Sequence, residues 1–445
     1  MLSINNMARK VFISVLGFTN YGQCCYVKDD YKSPSVRFIQ EATLDFLCQQ
    51  SEWTANDTAY ILLTNGAEKV NWYDDGHRDR DTGEVIKCEG LCSRLQKMKL
   101  PFAINTIKNL PDGNTEDEIW EIFERVFSEL QDGDELYFDL THGFRYLPML
   151  VMVLINYSKF LKNTSVKSIT YGNFESRNKE TNEAPIIDLL PLSALQDWTY
   201  AAGQFLDSGN VHKLVKLSRE KINPILRESK GEDAEASILK KFVVALEATV
   251  EDMQTCRGIN LVEATNLKTL KTEIIQLQKT FIAPLNPIFE KIKHSFKNFA
   301  DDENIKNGFV AAKWCLDNNL YQQAITILQE NIITMICIEQ EIDYKNKELR
   351  EIINKAFNIL ENNRPEEKWK FSSSATEEEI EFQKKMIKRV LESERVKSLC
   401  SSFAVCTNIR NDFNHAGMGE NPSKAGKLKM GIKERIDKVM SLIYD

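Results

Sequence analysis

The stretch "NIRNDFNHAG" (408–417) holds Arg410 and His415, one of five histidines in 445 residues, and Asn411 follows the arginine. A guanidinium can grip a phosphate and an imidazole can move a proton, the two tasks of phosphodiester cleavage. On an ideal helix a five-residue separation turns the two side chains about 140° apart, so one straight helix does not aim both at one substrate. The carbonyl end of a helix favours a cation, which suits an imidazolium acting as general acid. The same residues also read as the polar end of a helix with no chemistry at all.

Three further stretches hold small and polar residues where an α/β sheet keeps its ligands: "GFTNYG" (17–22), "TNGAE" (64–68) and "DLTHGFR" (139–145). In the last, Asp139 closes a strand, and Thr141 with the amides of His142 and Gly143 opens a helix flanked by Arg145. Free amides at a helix start beside a cation can bind an anion. A strand-to-helix turn with Thr141 as N-cap and His142 hydrogen-bonded locally fits the same residues. In the first stretch a glycine precedes hydroxyl and amide groups suited to phosphates or ribose hydroxyls. Neither G-x-G-x-x-G nor a Walker A loop is present, which disfavours a dinucleotide-dependent redox enzyme. His77, Cys88 and Cys92 match no common zinc spacing, and a fourth ligand is missing.

Alternating elements position these stretches. Residues 9–18, 57–64, 100–109 and 134–141 read as strands, and 166–175 with 184–191 as two more, in a hairpin. Helices are expected at 33–50, started by Ser33 and Pro34, at 114–130 with a Thr115–Glu118 capping box, and at 144–161, fully buried. Apolar strands separated by helices predict a mostly parallel, three-layer α/β sheet. Beyond Pro191 only helical periodicity is found, over 235–250, 261–283, 303–316, 320–341, 346–362, 376–413 and 424–443. The fold class is therefore α/β followed by all-α. Its boundaries fall at 8–192 for the sheet domain, 193–235 for a helical connector and 236–445 for the helical domain. His212 reads as structural and His294 as solvent-facing.

With 57 basic and 65 acidic residues the net charge is −8, so no global field draws in nucleic acid, and any contact must be local. Lys424, Lys427, Lys429, Lys433, Arg435 and Lys438 form one basic stretch. Ten scattered cysteines without a repeated C-x-x-C pair read as reduced thiols of a cytoplasmic protein. "VFISVLGF" is far too short to span a membrane and too short for a signal peptide.

"FDLTHGFRYLPM", "VFISVLGFTNY" and "YGNFE" (171–175) together resemble the CARF domain of CRISPR-associated proteins, a Rossmann-like nucleotide sensor. The resemblance covers about residues 8–192. It implies a homodimer that binds a cyclic oligoadenylate across its two-fold axis, with the four-membered ring the commoner activator. Carried over by position, the contacts would be Gly17, Phe18, Thr19, Asn20, Tyr21, Thr64, Asn65, Gly66, Thr141, His142, Gly143, Phe144, Arg145 and Asn173. Tyr21 or Phe144 would stack on adenine or sit in the core.

The 408–417 stretch resembles the R-x(4–6)-H motif of HEPN ribonucleases, with four residues between Arg410 and His415, and "AAKWCLDNNLYQQAITILQENIITMIC" (311–337) is similar to an earlier helix pair of that domain. Together the two likenesses match CRISPR type III ancillary ribonucleases. They imply a metal-independent single-stranded RNA endonuclease in which two protomers share one cleft, with larger assemblies of dimers open. They further imply that DNA is spared and that no cofactor or membrane is involved. Arg410 would hold the scissile phosphate, His415 would transfer the proton and Asn411 would orient one of them. The alternative is a non-catalytic sensor that signals through a partner.

Overall fold

Val11, Phe12 and Ile13 are all buried, so Lys10–Val15 (β1) needs cover on both faces and belongs in the middle of a sheet. The computed structural model describes residues 8–143, 146–277, 286–419 and 421–444. Two units divide between Ala194 and Leu195.

In the first unit β1 is followed by Cys24–Lys28 (β2), Tyr31–Val36 (β3), Ile39–Gln50 (α1), Thr58–Thr64 (β4) and the short Asn65–Ala67 (α2). Then come His77–Arg78 (β5), Val85–Ile86 (β6), Leu91–Met98 (α3), Ala103–Leu110 (β7), Glu116–Glu129 (α4), Glu135–Asp139 (β8), Leu147–Leu161 (α5), Ser165–Gly172 (β9) and Glu183–Asp188 (β10). The main sheet runs β3-β2-β10-β9-β8-β1-β4-β7. Five of its seven described pairings are parallel, so the sheet is mostly parallel, as its apolar strands imply. Side chains alternate across it: Phe12, Ala59, Ile61 and Leu63 pack with α1 and α3, whereas Val11, Ile13, Tyr60 and Leu62 pack with α4 and α5. After β1 the chain makes the β2–β3 hairpin at one edge, then lays β4 and β7 on one side of β1 and returns to β8 on its other side. The carboxyl ends of β1 and β8 are thus the topological switch point, where open α/β sheets bind ligands.

Three expectations for this unit change. Residues 33–50 are not one helix. Tyr31, Ser33 and Val36 turn inward as an edge strand paired with β2, the Ser33 hydroxyl accepts from the Tyr26 N–H (2.8 Å), and the helix begins only at Ile39. Pro34 is tolerated because β3 is the outermost strand. The β2–β3 hairpin, turned at Asp29 with φ +52°, was not expected. α5 is not buried all round: Met149, Val153, Tyr157 and Phe160 lie exposed along one face.

The second unit is helical, as its periodicity implies. Leu190–Ser208 (α6), His212–Glu228 (α7), Ala234–Gln254 (α8), Gly258–Val262 (α9), Leu267–Leu277 (α10) and Asn286–Ser295 (α11) come first. Lys306–Asp317 (α12), Tyr321–Glu339 (α13), Lys347–Glu361 (α14), Glu377–Glu392 (α15), Glu394–Asn414 (α16) and Ala425–Tyr444 (α17) follow. The expected 376–413 helix is broken at Ser393, whose hydroxyl caps α16 by accepting from the Val396 N–H. The expected 261–283 helix is split between α9 and α10, and residues 278–283 lie outside the described residues. Trp198, Phe205 and Leu214, from the segment read as a connector, share one core with Phe309, Ile332 and Phe403. No helix among the described residues is long and apolar enough to cross a membrane.

Candidate functional site

The loop after β1 and the loop after β8 meet over a cavity of about 370 Å³ lined by Thr19, Asn20, Tyr21, Arg37, Thr141 and His142, with Tyr171, Phe174 and Glu175 from the far side. Beneath it lies a buried polar chain. The Asp139 carboxylate accepts from the Ser14 hydroxyl (2.7 Å) and from the Thr141 N–H (3.1 Å) and hydroxyl, while Gln40 donates to Ser14 (2.9 Å). The Thr141 oxygen accepts in turn from the Gly172 N–H on β9 (2.7 Å). Burial pushes the Asp139 pKa up, and these donors oppose the shift. Three strands are thereby joined at the base of the pocket.

The His142 ring stacks on Tyr21 at 4.1 Å between centroids. Its Nε2 is buried without a hydrogen-bond partner. Burial lowers its pKa to about 4, so the imidazole is neutral at neutral pH. Burial also pushes the Tyr21 phenol up to about 12. Gly17 leaves room for Tyr21 here, because a Cβ would stand 2.1 Å from the Tyr21 hydroxyl oxygen and displace it. Asn71 pins the loop by donating to the carbonyls of Gly17 and Thr19 (both 2.9 Å), and its own oxygen meets His77 Nε2 (2.8 Å) and Arg37 (3.3 Å). Arg37 also donates to Asn20 (3.1 Å), which holds a guanidinium at the rim. The pocket thus offers one cation, hydroxyl and amide groups, and an aromatic pair.

In the helical unit Arg410 faces α13, where its Nη1 donates to Glu330 (2.8 Å) and Gln329 (3.2 Å). Glu330 is held from its other side by Arg350 (2.8 Å). α16 ends at Asn414 with His415 as its C-cap, followed by Ala416 at φ +51° and Gly417 at φ +70°. The Gly417 N–H donates to the Asp412 carbonyl (3.0 Å), and the Asp412 carboxylate accepts from the Ser423 N–H (2.9 Å). Asp412 is thereby tied to both Gly417 and Ser423. His415 and Asn411 are exposed, and the imidazole makes no hydrogen bond among the described residues. Arg410 and His415 make no hydrogen bond to each other among the described residues.

The family model for the CARF domain of the CRISPR system endoribonuclease Csx1 matches residues 11–175. The chain carries a CARF domain. A CRISPR-associated protein of Methanocaldococcus jannaschii, MJ1674, is 26% identical over 275 residues, which is 60% of this chain and 40% of that relative's length. The family match ends before the helical unit begins.

Within the CARF domain, Thr19, Asn20, Tyr21, Thr141 and His142 line one pocket, and Gly17 shapes it from behind. Phe18 projects outward, 60% exposed. Gly143 sits at φ +130°, where a Cβ would strike Leu147. Thr64 is turned away: its hydroxyl caps α2 by accepting from the Ala67 N–H (3.3 Å), and Asn65 and Gly66 lie exposed outside the lining. The Asn173 oxygen accepts from the Ser176 N–H (3.3 Å), so it shapes the turn that carries Phe174 and Glu175. Phe144 and Arg145 lie outside the described residues. Arg37 and Asn71 are the contributors the sequence did not single out, while Tyr171 and Phe174 come from the YGNFE stretch, of which only Asn173 was named as a contact.

Proposed function

We propose that the chain senses a cyclic oligoadenylate in its CARF domain and uses the signal to switch on cleavage of single-stranded RNA. The observation that carries the sensor half is the switch-point pocket, where an unpartnered, neutral His142 lies stacked on Tyr21 beside Arg37. A nucleotide offers the matching groups: phosphate for the guanidinium, hydroxyls and base edges for the neutral donors, a flat base for the aromatic pair. A second copy of the chain is the natural partner. Met149, Val153 and Phe160 of α5 are 76%, 51% and 82% exposed along one face of the helix that starts beside the pocket. A two-fold axis there would let each protomer handle half of an even-membered ring, cyclic tetra-adenylate being favoured.

For the nuclease half, Arg410 and His415 supply a phosphate clamp and a proton-transfer group, and a dimer would let the motifs of two protomers complete one site. The RNA 2′-hydroxyl would attack the adjacent phosphorus and expel the 5′-oxygen, leaving a 2′,3′-cyclic phosphate. His415 would move the proton at one of these oxygens, Arg410 would hold the charge on the phosphoryl oxygens, and Asn411 would orient the group in play. DNA lacks the attacking hydroxyl and would be spared. The competing role, a sensor without catalysis, is favoured by the ion pair that occupies Arg410 with Glu330. Incubating labelled RNA with and without each cyclic oligoadenylate, in EDTA, separates the two. Ligand-dependent cleavage to cyclic-phosphate ends is expected. Ligand binding without cleavage would leave the non-catalytic sensor, and cleavage that stops in EDTA would require a different mechanism.

A further inference from the structure

A second cavity, of about 280 Å³, opens in the helical unit against Glu330, the residue that holds Arg410. We infer that this cavity holds the nucleotide next to the phosphate gripped by Arg410, an assignment that rests on the ribonuclease role proposed above. Its position follows from helix geometry. Gln322, Thr326 and Glu330 succeed one another at four-residue intervals on α13, so they form one row. Gln322 donates to Asn414 (3.4 Å) at one end of that row, and Glu330 accepts from Arg410 (2.8 Å) at the other. Thr326, between them, lines the cavity. Thr326 and Glu330 thus line an opening that reaches the residue holding Arg410, with the 256–259 segment as its other wall.

The charges are arranged for a nucleotide. Lys345 is neutralised by Glu263 and Arg350 by Glu330, whereas Arg257 makes no ion pair among the described residues and is exposed at the rim. Arg257 would take the neighbouring phosphate. Thr326 lines the same space, and its hydroxyl makes no hydrogen bond among the described residues. It and the Glu330 carboxylate, which Arg350 keeps in place when Arg410 turns to a phosphate, would meet the sugar or base edge. The volume lies just below the usual range of about 300–1,000 Å³ for ligand cavities, which suits one nucleotide and not two.

The test uses the full chain carrying His415→Ala, with fluorescein-labelled single-stranded RNA and saturating activator. Arg257→Ala and Thr326→Phe are each expected to weaken RNA binding by about tenfold, the loss of one charge-assisted contact or of the space itself. In the otherwise unaltered enzyme both should raise KM more than they lower kcat, and Thr326→Phe should change which bonds are cut. Unchanged Kd, KM and cleavage positions in an RNA-cleaving protein would overturn the cavity assignment alone. Absence of cleavage by the unaltered chain with every ring would overturn the ribonuclease role and the assignment together. Arg257 is exposed, so its substitution keeps the test valid even where Thr326→Phe fails to fold.

Discussion

At the switch point the groups beneath the cavity hold one another: Asp139 holds Ser14 and Thr141, Thr141 is tied to Gly172, and Asn71 pins the 17–19 loop. At the end of α16, by contrast, His415 stands exposed, and Arg410 is committed to an acidic partner, Glu330. The pocket is preorganised within one chain, and the helix end is not. Preorganised donors are ready to bind without rearrangement, whereas a paired arginine gains affinity for phosphate only if something weakens or outcompetes the pair. These two arrangements are what the proposed sensor and the proposed, signal-gated effector would each require.

The largest expected effect breaks the effector and spares the sensor. Arg410→Ala or His415→Ala should lower RNA cleavage by about 10²–10⁴-fold. Activator affinity, read by fluorescence or calorimetry, should stay within twofold. Near-normal cleavage by both variants would remove the pair from the chemistry.

The next attacks the preorganisation itself. Asp139→Ala takes the shared acceptor from Ser14 and Thr141 in a buried place, at a cost of about 1–3 kcal/mol. A lower melting temperature and weaker activator binding should appear together. An unaltered melting temperature would mean that the buried chain contributes nothing to the fold.

A smaller effect comes from protons. His142 has a folded pKa of about 4, below its unfolded value of about 6.5, so the unfolded chain binds more protons between the two. Its contribution is present above the unfolded pKa and is lost as pH falls toward 4. Asp139 shifts in the opposite direction, but it is common to both proteins when wild type is compared with His142→Phe. Between pH 7.5 and 5.5 wild type should lose about 1 kcal/mol more stability than the variant. Parallel curves in urea unfolding would show that the imidazole is not held neutral.

Much of this architecture was legible because burial leaves plain marks. Apolar runs at 11–16 and 58–63, bounded by turn residues, read as buried strands, and the 3.6-residue stripes of the second unit read as helices, although the break and cap at Ser393 did not show. The D-x-T-H-G segment stood out because its polar groups follow a buried strand. Arg37 was hidden for a reason that the fold explains. Ser33-Pro34 mimics a helix start, and placing a helix there buries the significance of a residue that in fact stands between β3 and α1, at the pocket rim. Asn71 reaches the 17–19 loop across more than fifty residues of chain, a contact no local pattern encodes. Glu330 likewise looked like one more polar residue on an apolar helix, and only the packing of α13 on α16 brings it to Arg410.

The link between the two sites is tested most directly by titrating activator against RNA cleavage for wild type and Arg37→Ala. If the pocket holds the activator, losing this charge-assisted contact removes about 1.5–3 kcal/mol, a roughly ten- to hundred-fold rise in the activation midpoint. The plateau at saturating activator and the residual rate without it should both be unchanged, because the activator acts only through its differential affinity for the active state. An unshifted midpoint, or a plateau that falls while the midpoint stays, would contradict the placement of the signal at the sheet's switch point.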